Sequence, residues 1–260
     1  NDKSSKSQTG VTSTIPYMSS HSVEDNNFPV VQINWYDAIK WCNALSEMEN
    51  LTPCYYESAD KANVYRSGAI DIHNGCVKCD TNGSRLPTEA EWEYAVRGGT
   101  TTPYFFEGSP GEYTSQGWKS KLFGTKTEVI SDYAIYVENS GAKTMEPGNV
   151  EPNPFGLLHL SGNVWEFVSD FYAPDIYSEY AAQGSVTDPK GPAAGEEHVI
   201  RGGAFDSDAI ELRSANRDRT HTKEWLVTDP QIPKSIWWYS DSKNVGFRVV
   251  CEPQELLTKK

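Results

Sequence analysis

The sequence lacks any run of eighteen apolar residues, which excludes a membrane-spanning helix. Positive charge is also scarce. Lys and Arg total 23 against 36 Asp and Glu, a net charge of −13. Such a surface repels phosphate backbones, so nucleic acid is excluded as a partner class. Regular alternation of strands and helices is missing too, which argues against a doubly wound parallel sheet. No internal repeat or low-complexity tract is present. What the chain does have is aromatic mass: 8 Trp, 14 Tyr and 9 Phe in 260 residues, enough to supply much of a core. The 20 Gly and 15 Pro point to many turns and loops.

Five cysteines occur, at Cys42, Cys54, Cys76, Cys79 and Cys251. Cys76 and Cys79 form a lone CxxC, whereas structural zinc usually takes four Cys or His ligands. The preferred reading is a disulfide from Cys54 to Cys76 or Cys79, with Cys54–Cys79 the pairing taken forward. Free thiols, zinc and a redox pair remain as alternatives. A disulfide would imply export.

Residues 1–27 read as a polar tail, of the kind that could follow a removed leader and a lipid anchor upstream. Val30, Val31 and Ile33 suggest a short strand, and Asn34 an N-cap. In WYDAIKWCNALSEMEN, Ala38, Trp41, Cys42 and Leu45 fall at helical spacing. A second helix is predicted over RLPTEAEWEYAVRGG: Thr88 and Glu91 form a capping box, and Gly98–Gly99 stop it. Residues 51–82, 100–150 and 171–198 read as loop-rich. Val199–Arg201 and Gly246–Val250 read as strands, and 153–170 as a tight turn, a short apolar segment and a stretch ending in a strand or helical turn. The pattern is α+β with two main helices, short strands and long loops, in one domain over 28–254.

Six segments in order carry a resemblance: VVQINWYDAIKWCNAL, RLPTEAEWEYAVRGG, NPFGLLHLSGNVWEFVSD, RGGAF, LRSANR and NVGFRVV. They resemble the formylglycine-generating enzyme family, also called the sulfatase-modifying factor domain. The resemblance implies a C-type lectin-like fold. It also implies calcium beside GNVWE, held by main-chain oxygens of Gly162 and Val164 and by the Glu166 carboxylate. His159 stands where the family usually has Asp or Asn, which weakens that site. Arg85, Glu89, Glu91 and Arg97 read as capping and bracing residues, Trp92 and Trp165 as core. Asn163 and Glu166 read as buried polar groups that fix loops.

Oxidase members of the family use a cysteine pair that binds copper(I), between the RGG motif and an arginine-rich segment. Here that region reads GGAFDSDAIELRSANR and has no cysteine. Ser207 stands near one of the expected positions, and Ser214 near a residue often Cys. The five histidines show no His-x-x-x-His spacing for iron. The segment 200–250 is also similar to the diversified region in variable proteins of diversity-generating retroelements, including treponemal surface lipoproteins. That resemblance implies a non-catalytic, monomeric protein at a bacterial cell surface, with a protein ligand on another cell or particle. The candidate face is Phe205, Asp206, Asp208, Glu211, Asn216, Asp218, Thr220 and His221, with Trp237, Trp238 and Tyr239. Tyr and Trp give contact area at low entropy cost, and Asp and Asn give adaptable hydrogen bonds. Arg213 and Arg217 read as loop braces. A metal-dependent oxidase with an atypical site is the alternative.

Overall fold

The computed structural model describes residues 27–68, 70, 72–232, 234 and 241–252. The polar tail therefore lies almost wholly outside the described residues, as do Trp237, Trp238 and Tyr239.

The first helix, α1, spans Trp35–Met48. Asn34 caps it: its side chain accepts a hydrogen bond from Asp37 N at 2.8 Å. The apolar spacing buries Trp35, Ala38, Ile39 and Cys42 along one face. The second helix, α2, spans Glu89–Arg97. Its capping box forms as the sequence predicts, and Gly98 closes it in the left-handed conformation at φ 53°. A Cβ at Gly98 would lie 2.7 Å from Pro154, so the stop needs glycine twice over.

Among the described residues four strands follow: β1 (Trp165–Phe171), β2 (His198–Arg201), β3 (Asp218–Arg219) and β4 (Val245–Phe247). They form one sheet in the order β3-β2-β1-β4. β1 runs antiparallel to β2 and parallel to β4. Alternation along the strands sends Phe167 and Ile200 to the α1 side, in a cluster with Trp35, Ile39 and Val245. Val168 and Val199 go to the other side, against Trp92 and Val96 of α2. The sheet is thus packed between the two helices. Trp35 ties the layers by donating to Val168 O at 2.9 Å. His198 is sandwiched between Trp35, 3.8 Å away and stacked, and Phe171. A further aromatic cluster of Tyr104, Phe106, Tyr113 and Tyr136 packs the 100–150 loops onto Ala209 and Leu212.

Several expectations are corrected. Where two main helices are expected, the described residues hold six α-helices, three of them substantial. The additional ones are α3 (Pro110–Tyr113), α4 (Trp118–Phe123), α5 (Glu128–Tyr133) and α6 (Ile176–Gln183). α6 begins without a side-chain cap bond and ends at Gly184, so its boundary signals are weak. Residues 30–33 form no strand. They run beside β4 instead, so closely that a Cβ at Gly246 would lie 2.5 Å from Val30 O. All five cysteines are free thiols, so the Cys54–Cys79 disulfide is absent. Cys54 Sγ lies 3.1 Å from Thr81 Oγ1. Among the described residues, no helix is long and apolar enough to cross a membrane.

Candidate functional site

The segment after β2 turns sharply at Gly202 and Gly203, which sit at φ 100° and 74°. A Cβ at Gly203 would meet Leu212 at 2.7 Å, so the turn needs a residue without one. Arg201 is fully buried beneath this turn. Its guanidinium donates to the Glu93 carboxylate, to Asn216 O, and to Ser214 O at 3.0 Å. It also stacks 5.0 Å from the Trp92 ring. Arg217 makes a two-pronged bond to Glu89, at 2.6 and 2.9 Å, and lies between the Tyr172 and Tyr177 rings. Planar guanidinium forks suit this bidentate bracing. The arginine-rich segment therefore fastens the 202–217 loop to α2 from below.

The predicted face residues divide into three groups. Asp206 is exposed and accepts from Asn244 Nδ2 at 2.9 and 3.1 Å, where β1 and β4 begin. Phe205 is half-buried beside it, its N donating to Asn163 O. On the far edge, Asp218 and His221 pair at 3.1 Å, and the His221 ring contacts Trp225 at 5.8 Å. The two pairs thus stand at opposite edges of the β3-β2-β1-β4 sheet. The third group is turned inward. Asp208 is 6% exposed and accepts from Ser115 N at 3.0 Å and Ile210 N at 3.0 Å. Thr220 is 1% exposed, bonded to His198 N and the Glu197 carboxylate. Both are corrected from face residues to loop anchors. Glu211 accepts from Asp208 N at 3.0 Å, and Asn216 from Arg213 at 3.4 Å, so both also serve the loop.

Copper(I) requires soft thiolate ligands. Ser207 is buried, and its hydroxyl accepts from Ala204 N at 3.1 Å, closing the turn after RGG. Ser214 is buried as well. Neither supplies a thiolate. Elsewhere, burial pushes the Cys42 and Cys54 thiols above their ordinary range, which disfavours the ligating form. Among the described residues no group of three or more His, Cys, Asp or Glu is placed to hold a metal ion. The donor set does not fit a copper(I) pair or an iron triad.

The calcium expectation meets a different obstacle. Both Glu166 oxygens are engaged: Arg248 donates to them at 2.7 and 3.0 Å, and Trp92 Nε1 to one at 2.7 Å. Gly162 O accepts from Val164 N at 3.0 Å. Gly162 itself lies at φ 82°, where a Cβ would be 2.1 Å from Ile135 O. Asn163 grips Met145 through both side-chain atoms, at 2.9 and 3.0 Å. GNVWE is a structural clasp, its carboxylate neutralised by arginine rather than open to a cation.

Sequence reasoning missed Glu93, Ser115 and Asn244. Only Asn244 carried a signal, as the first residue of the NVGFRVV segment.

The sulfatase-modifying factor enzyme 1-like domain model matches residues 4–226, and the chain belongs to this family. The chain is 36% identical over 167 residues to a formylglycine-generating enzyme of Streptomyces coelicolor, covering 64% of this chain and 46% of that protein. It is 31% identical to the formylglycine-generating enzyme of Mus musculus, over 57% of this chain and 38% of that one. The chain thus spans less than half the length of these two relatives. Among solved structures, Treponema denticola variable protein 1 aligns with TM-score 0.61 and 29% identity, covering 92% of this chain and 77% of that one. The relatives therefore include both named enzymes and a named variable protein.

Proposed function

We propose that this chain is a non-catalytic ligand-binding protein of the bacterial cell surface. It presents the loops of 200–250 on a C-type lectin-like scaffold spanning 28–254. The observation that carries this reading is Ser207. Where an oxidase of the family needs a thiolate, this chain has a buried hydroxyl that closes a turn with Ala204. The buried arginine braces support it as well, since they hold the 202–217 loop rigid while Asp206 stays exposed. Preorganised loops favour affinity by lowering the ordering cost of binding.

Among the described residues, the outward ones on this reading are Phe205, Asp206, Asn244, Asp218 and His221. Their chemistry suits a protein ligand on another cell or particle. The protein acts as an exported monomer, anchored through a lipid upstream. The similarity to Treponema denticola variable protein 1 supports a diversified 200–250 segment. Sequencing the surrounding genomic DNA tests this. A reverse transcriptase gene and a near-copy of the codons for 200–250 are expected, and a locus with neither would sink the diversified reading.

The second reading is a metal-dependent oxidase with an atypical site. Relatedness alone favours it, because the named curated relatives at 36% and 31% identity are formylglycine-generating enzymes. The donor chemistry of the 201–217 loop favours the first. Metal analysis of the purified protein separates them: stoichiometric copper or iron would overturn the binding reading.

A further inference from the structure

The loop after α6 has no buried residue from 184 to 197, yet its middle is fastened by a few specific contacts. Asn74 Nδ2 donates to Lys190 O at 3.1 Å and to Pro192 O at 2.9 Å, and Asn74 N donates to Ala193 O at 3.4 Å. Gly191 N donates to the Tyr180 hydroxyl of α6 at 3.0 Å. Gly191 takes φ 67°, and a Cβ there would lie 3.1 Å from Asp170 Oδ1 and 3.3 Å from Phe171 O. The segment thus crosses the end of β1 with a glycine methylene, not a hydrogen-bond donor, laid against the Asp170 carboxyl.

Asp170 is poorly supplied for a charge. Both hydrogen bonds it accepts from described donors go to Oδ2, from Glu89 N at 2.8 Å and Ser169 Oγ at 3.1 Å. The ionisable groups around it are Glu89 and Glu91 of α2 and Tyr180 of α6. The arginines of this region are already bound: Arg217 holds Glu89, and Arg85 holds Glu91. The His198 ring bonds the Asp170 main chain, not its side chain, and Lys190 is exposed. Burial first, and the Glu89 charge after it, therefore push the Asp170 carboxyl up to about 7.

We propose that residues 184–197 form a strap that stays closed over Asp170 while this carboxyl is protonated and lifts when it ionises. Lifting admits water to Oδ1, which the Gly191 methylene otherwise covers. Few contacts hold the strap, so it can open without the sheet beneath it. The device is separate from the 200–250 loops and stands whether or not they bind a ligand.

The test is trypsin cleavage of the full chain after Lys190, followed by mass spectrometry between pH 6 and 8. Each rate is divided by that of a free peptide of residues 184–197 at the same pH, so the ratio reads how often the strap is open. An acid whose folded pKa is raised stabilises the closed form at low pH and loses that effect as pH rises toward the folded value. With Asp170 moving between an ordinary 3.8 and about 7, the ratio is expected to rise about tenfold from pH 6 to 8. Asp170→Asn, which keeps an acceptor for Glu89 N, is expected to hold the ratio flat. Asn74→Ala is expected to raise the ratio at each pH and keep its slope. Cleavage after the buried Arg201 reports global unfolding and should not rise in step. A flat wild-type ratio, an equal rise in Asp170→Asn, no effect of Asn74→Ala, or cleavage after Arg201 keeping pace would each overturn the proposal.

Discussion

The two faces of the central sheet are packed by different chemistry. On the α1 face, Trp35, Ile39, Phe167, Ile200 and Val245 form an apolar cluster. On the α2 face, Glu89 and Glu93 meet Arg201 and Arg217, and Glu166 meets Arg248. Apolar packing stabilises without fixing direction. Buried ion pairs contribute less net stability, because desolvation offsets their attraction, but they are severe when half-removed. The charged face is also the one that fastens the 202–217 loop. The difference teaches that stability and loop geometry are assigned to opposite sides of one sheet.

The largest expected effect comes from breaking the charged face. Arg201→Ala removes the buried guanidinium that Glu89 and Glu93 share with Arg217 and Arg97, strands the Ser214 and Asn216 carbonyls, and should cost about 3–5 kcal/mol in urea unfolding. Arg201→Met should cost less than Arg201→Ala, because it fills the space beside Trp92. Next comes the apolar face. Ile39→Ala should cost about 2–5 kcal/mol while leaving the environment of Asp206 unchanged by NMR. If Ile39→Ala shifts the loop as far as Arg201→Ala does, the division between faces is wrong.

The pH dependence sharpens the same contrast. Burial between Trp35 and Phe171 lowers the His198 pKa from its ordinary value to about 3. Its neutral form is the one that fits. Stability from this group is present above about pH 6.5 and is lost as pH falls toward 3. His198→Phe should flatten the acid limb of a melting-temperature profile over that window. On the charged face, burial raises the Asp170 pKa to about 7, with Glu89 adding to the rise. Here the sign reverses, and stability falls as pH rises from about 4 to 7. Asp170→Asn should remove that slope. The smallest effect is local to α2: Thr88→Ala should cost about 1 kcal/mol through the lost cap.

Legibility followed the range of the interactions. α1 and α2 could be read because apolar spacing, an Asn34 cap and a Thr88–Glu91 box all lie within a few residues. The family resemblance located the loops and the absent cysteines. α6 was lost because Asp175 makes no capping bond and the helix carries little amphipathic contrast. Asp208 and Thr220 were read as outward because acids and hydroxyls usually are. Their burial depends on Ser115 and Glu197, partners remote in sequence. The same limit applied to Glu166: its place as a buried polar group is readable, but its partner Arg248, 82 residues further on, is not. Polar side chains aimed inward are a tertiary fact, and one-dimensional spacing does not encode their partners.

Oxygen uptake with a cysteine-containing peptide, in the presence of added copper(I), tests the central claim most directly. The serine-closed turn predicts no uptake above that of copper(I) and peptide without protein. Copper-dependent turnover by the wild-type chain, abolished by a copper(I) chelator, would contradict it and make the chain an oxidase.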